Sequence, residues 1–571
     1  MRQGPLLLLL VLGATACRPG DPAAARQTPG ARPPSPAPAQ QLTLATISDP
    51  KTFNPILAVD ASSGSATEPL FEGLLRLNPK TLVREPVLAQ RWELSPDGTV
   101  CVFFLRRDVR WHDGQPFTAA DVTFTFEAIF DARVPNSIKH TLTVDGQPVR
   151  VTARDDYTVE VRVPHPFAPL LDAIGVPILP RHVLGASLAA GTFQEQWGIE
   201  TSPEALVGTG PYRMARYVPA QFIEYRRNPA YWRMDDAGRR LPYLDGETVL
   251  IVPDQEATYL KFVAGQTDIH SPRPEEIGEL RSRADQLRVT VEEIGLDTGS
   301  TFVAFNRNPR AYTRDGATEP RLGWFTDLRF LRALAHAVDK QAMIVNTLNG
   351  YGKPAVAEIS PENTLFHNPN LQDYAYDLAA ARRLLQDAGF ADRDGDGVLE
   401  DPQGHAVAFT LTTNAGNRVR EKMCAILAED WAKLGLKVSY RPLEFQALVE
   451  KLNSTYEWDA ILIGFTGTLE PNNGANLLRS SGNLHFWNPN QRTPATPWEA
   501  EIDALLEQGA RELDTAKRRP IYWRIQEILH EQLPMIETVR PVTFVAYARA
   551  LQNYRPTVWG VDRPELIRFA E

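Results

Sequence analysis

Hydrophobic positions recur with two different periods along this chain, and the two kinds of segment alternate. Residues 100–106 are apolar at every second position, with Cys101, Phe103 and Leu105 on one side, which predicts a strand with one face on a core. Thr118 and Asp121 are spaced as in a capping box, and apolar residues follow at helical spacing, which predicts a helix starting there. Strands and helices are therefore expected to interleave.

The clearest pattern lies in the C-terminal half of the chain. Residues 407–412 predict a strand, residues 418–434 a helix that ends before Gly435, and residues 436–440 a second strand. The apolar face of this helix consists of Val419, Met423, Ile426, Leu427, Trp431 and Leu434. A strand, a helix and a strand in this order form a unit whose two strands run parallel. The predicted fold class is therefore α/β, with helices covering a parallel sheet.

The composition is that of a soluble globular protein and excludes some partners. Of the 571 residues, 43% are hydrophobic and 23% are charged, and the formal net charge is −10. An acidic chain without a basic stripe is unsuited to nucleic acid, so no nucleic-acid partner is expected. The three cysteines, Cys17, Cys101 and Cys424, form neither a disulfide framework nor a zinc motif. Cys101 and Cys424 lie in apolar patterns and are expected to be buried.

The N-terminus has the pattern of an export signal. Arg2 precedes an apolar run over residues 6–12 that is too short to span a bilayer, and small residues lead from there to Cys17. This ending resembles the bacterial lipobox, although Ala14 stands where leucine is usual. The resemblance implies that residues 1–17 are a lipoprotein signal and that Cys17 is lipidated. The alternative is an ordinary signal cleaved near Ala16.

The segment that follows the signal has a different composition. Residues 18–41 are rich in proline and alanine and contain little that could be buried. Such a segment stays extended, so it predicts a tether between a membrane anchor and the globular part.

Four blocks of sequence, in a fixed order, resemble one family of binding proteins. The blocks are residues 86–98 with 109–122, residues 208–212 with 227–232, residues 327–340, and Leu533-Pro534. Together they resemble the family 5 extracellular solute-binding proteins, which are the peptide- and nickel-binding components of ABC importers. The resemblance extends over about residues 42–560, so it covers most of the chain.

The resemblance implies a bilobed, periplasmic-binding-protein-like fold of the Venus-flytrap type, with an extra subdomain on the N-terminal lobe. Lobe I is expected to comprise residues 42–75, 201–300 and 541–571. The extra subdomain is expected over residues 76–200, and lobe II over residues 301–540. Ligand would be enclosed between the two lobes, and closure of a hinge would shift the protein toward its closed state.

The function that the resemblance implies is capture of a peptide-like small solute and its delivery to ABC permease subunits. The expected protein is a monomer without a cofactor, lipid-anchored to a bacterial membrane in the periplasm or on the outer cell surface. The alternatives are the same fold binding an oligosaccharide, a nickel complex or another non-peptide ligand, and a sensor or chaperone-like binding module. No GxSxG or HExxH motif is present, so an enzyme is not expected.

Candidate ligand-binding residues follow from the same resemblance. In lobe I, Val59, Asp60 and Ala61 stand where related peptide binders pair their backbone with the ligand. Lobe II contributes a loop after a late strand, and a later aromatic cluster that is suited to stacking. The lobe II candidates are Gly464, Phe465, Thr466, Thr468, Glu470, His485 and Trp487.

The lobe II loop departs from the family pattern at one position. Related peptide binders carry an aspartate there that pairs with the α-amino group of the peptide, whereas Gly467 and Thr468 stand in this chain. A buried ammonium without a carboxylate partner costs several kcal/mol. Either Glu470 or Asp60 supplies the carboxylate, or the ligand has no free amino terminus.

Two further motifs suggest chemistry and have simpler interpretations. Asp392, Asp394 and Asp396 are spaced as in the first half of an EF-hand calcium loop, but position 12 is Gln403, so the bidentate carboxylate is missing. A carboxylate-rich turn is the favoured interpretation, and the three aspartates are kept as candidate metal ligands. The His112-Asp113 pair precedes Gly114 and is interpreted as a structural turn packed against Trp111.

Overall fold

The computed structural model describes residues 40–570, apart from the side chain of Arg314. The predicted signal over residues 1–17, with Cys17, lies outside the described residues, as does the predicted tether up to residue 39. Strand Gln41–Thr46 is the first described element, so the last residue of the predicted tether already belongs to a sheet.

The first sheet has four strands, and its chain order is discontinuous. The order is Gln41–Thr46, Gly246–Ile251, Phe222–Arg227 and Tyr212–Val218. Its first two strands run parallel and the other pairs are antiparallel. The chain thus leaves this sheet after its first strand and returns only after a long insertion.

The second sheet lies within that insertion and is wholly antiparallel. Its order is Ala89–Leu94, Val100–Leu105, Thr158–Arg162 and Arg150–Asp155. Helix Ala119–Phe130 packs on it and begins at the capping box that the sequence predicts, with the Thr118 N–H donating to Asp121 at 2.9 Å. Cys101, Phe103 and Leu105 are buried, which confirms the predicted inward face.

The third sheet is built on two long strands from distant parts of the chain. Val289–Leu296 pairs antiparallel with Val539–Ala548, which also pairs with Ile269–His270 and Gly352–Pro354. The chain passes from this sheet to the next one through residues 297–299, and it returns to this sheet at Thr538. We call residues 297–299 and Thr538 the crossing segments. Each is hydrogen-bonded to the chain next to the other crossing, since Asp297 N donates to Pro541 O at 2.9 Å and Thr538 N donates to Thr301 O at 3.0 Å.

The fourth sheet has five strands and contains the predicted parallel unit. Its order is Lys437–Leu443, Ala408–Asn414, Ala460–Phe465, Ser300–Phe305 and Met535–Glu537. Ala408–Asn414 runs parallel to both of its neighbours, and helix Arg418–Ala432 connects it to Lys437–Leu443, which confirms the predicted strand, helix and strand. Both faces of this sheet are covered by buried apolar side chains, with Val303 and Phe305 on one face and Phe302 and Ala304 on the other.

The remaining helices cover these sheets or connect them. They are Ala61–Thr67, Ile138–Thr141, Leu170–Ala173, Arg181–Ala190, Gln255–Val263, Pro274–Ser282, Ala284–Leu287, Pro309–Tyr312, Pro320–Thr326, Leu328–His336, Lys340–Leu348, Leu378–Asp387, Phe445–Glu450, Ala475–Leu478, Pro497–Arg511 and Thr515–Gln532. Short strand pairs close several loops. They are Leu75–Leu77 with Arg84–Pro86, Thr143–Val144 with Gln147–Pro148, Thr313–Arg314 with Ala317–Thr318, Leu551–Gln552 with Arg568–Phe569, and Pro556–Thr557 with Gly560–Val561. Within residues 40–570, no helix combines the length and the apolar character needed to cross a membrane.

Candidate functional site

A cavity of about 290 Å³ lies where the fourth sheet meets the crossing segments. Its wall includes the start of strand Ser300–Phe305, the loop over residues 465–468 and the segment around Glu358. Trp559, from the chain beyond the second crossing, lines it as well, and its indole N–H donates to Glu362 O at 3.1 Å. The cavity therefore combines groups from chain segments on both sides of the crossings.

The loop over residues 465–468 carries several predicted ligand-binding residues to this cavity. Phe465, Thr466 and Thr468 all line it, and the Phe465 ring stacks between Phe302 and Phe486. Gly464, the last residue but one of strand Ala460–Phe465, does not line the cavity, and a Cβ on it would lie 2.5 Å from Ser300 O. The loop is thus held tightly against the fourth sheet while its threonines stay exposed.

The loop also presses against a crossing segment. A Cβ on Gly467 would lie 1.9 Å from Thr298 O, which no side chain tolerates, so glycine is required at this contact. Because Thr298 belongs to the first crossing segment, the position of this cavity wall is coupled to the path of the chain between the two halves.

Glu470, another predicted ligand-binding residue, is engaged in a buried ion pair. Its carboxylate accepts from Arg518 Nη2 at 2.6 Å and from Nη1 at 3.0 Å, and both side chains are almost fully buried. It also accepts from Asn472 N at 3.1 Å. The hypothesis that Glu470 offers a free carboxylate to a ligand ammonium is therefore corrected, because the Arg518 guanidinium already occupies both oxygens.

The lobe I candidates lie outside the 290 Å³ cavity. Asp60 caps helix Ala61–Thr67, accepting from Ser63 N at 3.0 Å and from Ser63 Oγ at 2.8 Å. The backbone hydrogen bond from Ser63 lowers the pKa of Asp60, so this carboxylate is ionised but already bonded. Val59 is 76% exposed and Ala61 is exposed too. None of the three lines the cavity.

The predicted aromatic stacking residues are part of the core. His485 is 0% and Trp487 is 1% exposed, so neither ring has a free face for a ligand. Both direct a ring nitrogen to Glu499 Oε1, His485 Nε2 at 3.0 Å and Trp487 Nε1 at 3.2 Å. This corrects the stacking hypothesis, since a later helix supplies the carboxylate that holds these rings inward.

Glu358 was not predicted, and among the described residues it is the one charged residue that lines the cavity. Its backbone oxygen accepts from Arg540 Nη2 at 3.3 Å, and Arg540 also donates to Ala357, Asp297 and Thr298 oxygens. Burial and the neighbouring Glu537 carboxylate raise the pKa of Glu358 to about 8, although Arg540 opposes this. The sequence around Glu358 contains no motif, so only the three-dimensional structure shows that it lines the cavity.

At its rim, the cavity contacts the long insertion that contains the second sheet. Asn473 lines the cavity and donates to Asp172 Oδ2 at 3.2 Å, and Asp172 is also paired with Arg84. Nearby, Ala168 N donates to Ala510 O at 2.7 Å. These contacts join the long insertion to the C-terminal half beside the cavity, as in a closed arrangement.

The structure explains the His112-Asp113 pair, and it leaves metal binding by the aspartate-rich turn open. His112 is buried, its backbone N–H donates to Gly208 O at 2.8 Å, and its Nδ1 accepts from Gly208 N at 3.1 Å. Burial lowers the pKa of His112 to about 4, so the ring is neutral and the predicted structural turn is confirmed. The turn thereby joins the first and second sequence blocks.

The aspartate-rich turn brings its carboxylates together. Asp392, Asp394, Asp396 and Glu400 each place one oxygen within 4.8 Å of the others. Asp392 is also bonded within the turn, to Gly395 N and Gly397 N. Glu400 stands at position nine of the calcium-loop pattern and was not included in the sequence hypothesis. Metal binding by Asp392, Asp394 and Asp396 stays a prediction.

Comparisons with known proteins agree with this architecture. The sequence profile of the bacterial extracellular solute-binding proteins, family 5 Middle, matches residues 84–486. A probable ABC transporter-binding protein of Deinococcus radiodurans is 28% identical over 531 residues, which are 89% of this chain and 88% of that protein. Heme-binding protein A of Haemophilus influenzae is 27% identical over 545 residues, or 90% of each.

A solved structure of similar shape supports the predicted fold. The oligopeptide-binding protein AppA of Bacillus subtilis, in complex with a nonapeptide, matches with a TM-score of 0.71 at 23% identity. The match covers 94% of this chain and 100% of that chain. It confirms the bilobed α/β fold that the sequence predicts.

Proposed function

Because the chain belongs to the bacterial extracellular solute-binding proteins of family 5, we propose that it captures a peptide-like small solute and delivers it to the permease of an ABC importer. The single observation that carries this proposal is the 290 Å³ cavity beside the crossing segments. Its volume is near the lower end of the range for small-molecule pockets, so a small solute fits it better than a long peptide.

The proposed mechanism is closure of two lobes about the crossing segments. We take lobe I as residues 42–75, 201–300 and 541–571 with its subdomain over residues 76–200, and lobe II as residues 301–540. Trp559 and the contact between Asp172 and Asn473 contribute only when the lobes are together. A solute that contacts both lobes binds the closed form more tightly and so shifts the population toward it.

The proposal extends to the place where the protein acts. Lipidation at Cys17 would hold a monomer at a bacterial membrane, with residues 18–41 as a tether to the folded part. Two or more acyl chains on one residue would make this attachment durable, whereas a single chain would not. Membrane fractionation of the native chain and of Cys17→Ala tests it, and release of only the variant is the expected result.

The function is tested by what the protein carries and by what the solute does to its shape. Mass spectrometry of the protein purified under native conditions should detect a bound small molecule, and small-angle scattering should show compaction when that molecule is returned to stripped protein. A purified protein that carries no solute and does not compact with a peptide digest would contradict the proposal. The two relatives named for heme and for oligopeptides show why the solute class needs this direct measurement.

A further inference from the structure

The charge of the cavity wall determines which kind of solute the cavity can hold. Of the residues between 40 and 570 that line it, Glu358 is the only carboxylic acid, and none is a lysine, an arginine or a histidine. Much of the remaining wall is apolar, including Phe302, Phe465, Ile525 and Trp559. A solute with a negative group inside this cavity would find no cation to pair with it.

The Glu358 carboxylate is unoccupied by any partner side chain. Throughout residues 40–570, no other side chain makes a hydrogen bond or an ion pair with it. The nearby Arg540 donates its guanidinium N–H groups to four backbone oxygens instead. The second acid behind it, Glu537, is already bonded to the Ser300 hydroxyl at 2.8 and 2.9 Å. Glu358 is thus the acid that remains available to a ligand.

The other candidate carboxylates are unavailable, which removes two of the alternatives that the sequence leaves open. Glu470 is held by Arg518, and Asp60 is used as a helix cap. Thr468, which also lines the cavity, offers only a hydroxyl, which donates to Glu470 O at 3.0 Å. Recognition of a ligand cation therefore needs a carboxylate from a different wall of the cavity.

We propose that Glu358 is the anionic subsite of this cavity and that the solute presents a cationic nitrogen, an ammonium or a guanidinium, to it. This rests on the proposed function, because it names the class of solute that the closed lobes hold. The aromatic wall suits the same ligand, since cations are attracted to ring faces as well as to carboxylates. Small cationic solutes are selected over neutral and anionic ones of the same size.

Protonation of Glu358 makes the affinity for cationic solutes depend on pH. Glu358 has a pKa of about 8, raised by burial and by Glu537 and opposed by Arg540. Around the adjoining small cavity, Lys340 pairs with Asp373 at 2.5 Å, and His530 lies beside them with a pKa lowered by burial. A cation binds the ionised form of Glu358, so affinity should rise by up to tenfold per pH unit between pH 6 and 8.

The test compares three forms of the same short apolar tripeptides. The cationic form is a tripeptide amide whose amino terminus carries an amidino group, a guanidinium that stays charged from pH 6 to 8. The neutral form is the same tripeptide amide N-acetylated, and the anionic form is the N-acetylated acid. A library of each form is equilibrated with the full chain, and the retained members are measured by mass spectrometry at pH 6, 7 and 8. We expect retention of cationic members at least tenfold above neutral ones, and no retention of anionic ones.

Two variants assign the effect to one side chain. Glu358→Gln should reduce retention of cationic members to the neutral level and abolish the rise with pH. Glu362→Gln is the matched control, because its side chain lies in the same segment and keeps an oxygen for the Leu296 N–H that Glu362 Oε1 accepts at 2.8 Å. Circular dichroism and thermal unfolding verify that both variants are folded, and the control should retain the wild-type preference.

The outcomes separate this inference from the proposed function. Equal retention of cationic and neutral members, absence of any retained cationic member, or an unchanged preference in Glu358→Gln would overturn the inference. If the protein then still compacts around a non-cationic solute from a peptide digest, capture by lobe closure stands without the anionic subsite. If the digest gives neither retention nor compaction, the proposed function fails, and this inference fails with it.

Discussion

At the scale of single residues, the carboxylates around the cavity are divided between structural bonds and ligand binding. Glu470 and Glu499 are buried and fully bonded, Asp60 caps a helix, and Glu358 lines the cavity with no side-chain partner among the described residues. Their residue types alone did not distinguish these roles. The cap at Asp60 was in principle readable, because Ser63 follows three positions later, but the helix it starts has few apolar residues.

The burial of His485 and Trp487 was not predictable from the sequence, for a physical reason. Their segment is polar, which favours a loop, and the carboxylate that draws both rings inward belongs to helix Pro497–Arg511. A long-range hydrogen bond leaves no local pattern. By contrast, Phe465, Thr466 and Thr468 lie where a late strand ends, on the loop that the family resemblance assigns to the ligand, and the structure places them on the cavity.

Removing the Glu470 carboxylate is expected to affect stability through Arg518. Glu470→Gln leaves the buried guanidinium without its counter-charge, which should lower the free energy of unfolding by about 3 kcal/mol in denaturant titrations. Glu507→Gln is the matched control, because Glu507 pairs with Arg511 on the exposed surface. An unfolding midpoint equal to that of the control would show that the buried pair contributes nothing.

The Glu499 network predicts a loss of stability in acid. Burial alone would raise the pKa of Glu499, but hydrogen bonds from His485, Gln491 and Thr496 outweigh it and lower the pKa from 4.5 to about 2. A carboxyl whose pKa is lower in the folded state stabilises above its unfolded pKa, and this contribution disappears as pH falls from about 4.5 to 2.

The lowered pKa of Glu499 contributes about 3 kcal/mol to the free energy of unfolding, and this contribution is lost between pH 4.5 and 2. Glu499→Gln should remove this part of the pH dependence while lowering stability at pH 7, as measured by urea unfolding at several pH values. A variant whose stability falls between pH 4.5 and 2 as steeply as that of the wild type would assign the acid sensitivity to other groups.

At the scale of elements, the predicted strands and helices hold where the pattern is local. The strand, helix and strand around residues 407–440 and the helix capped by Thr118 are both present, with boundaries shifted by a few residues. The pairing of Met535–Glu537 with Ser300–Phe305 was not predictable, because pairing between distant strands depends on the register of the whole sheet. The cavity depends on that pairing, so its position was not predictable either.

The contact between the 465–468 loop and the first crossing segment gives a sharp test at this scale. Gly467→Ala places a methyl group 1.9 Å from Thr298 O, so the loop or the crossing segment must move. We expect weaker solute binding, by at least tenfold, and a lower melting temperature. Gly474→Ala is the control, because it adds the same methyl group on the same cavity wall with nothing within 4 Å. Equal effects of the two substitutions would contradict the coupling.

At the scale of the whole molecule, the contact between Asp172 and Asn473 joins the long insertion to the C-terminal half at the rim of the cavity, and the proposed closure would depend on it. Asp172 does not line the cavity, so Asp172→Ala removes the contact with Asn473, together with the ion pair to Arg84 inside the insertion, without removing a ligand contact. One hydrogen bond contributes about 1 kcal/mol net, so we expect about a fivefold loss of affinity for the solute recovered with the protein.

Scattering measurements should also show a smaller degree of compaction for Asp172→Ala at subsaturating solute. The control is Asp131→Ala, because Asp131 is in the same region and bonds only to Arg133. If affinity and compaction are unchanged in Asp172→Ala relative to this control, the contact does not stabilise the closed form.

The late position of Trp559 and of strands Met535–Glu537 and Val539–Ala548 bears on how the protein is made. Ribosomes deliver these two strands and Trp559 after the rest of the cavity wall, and the return crossing, Thr538, lies between the two strands. The second sheet and its helix are complete long before that point, so a nascent chain can form them early. A nascent chain therefore has no finished cavity for a solute until Trp559 has been synthesised.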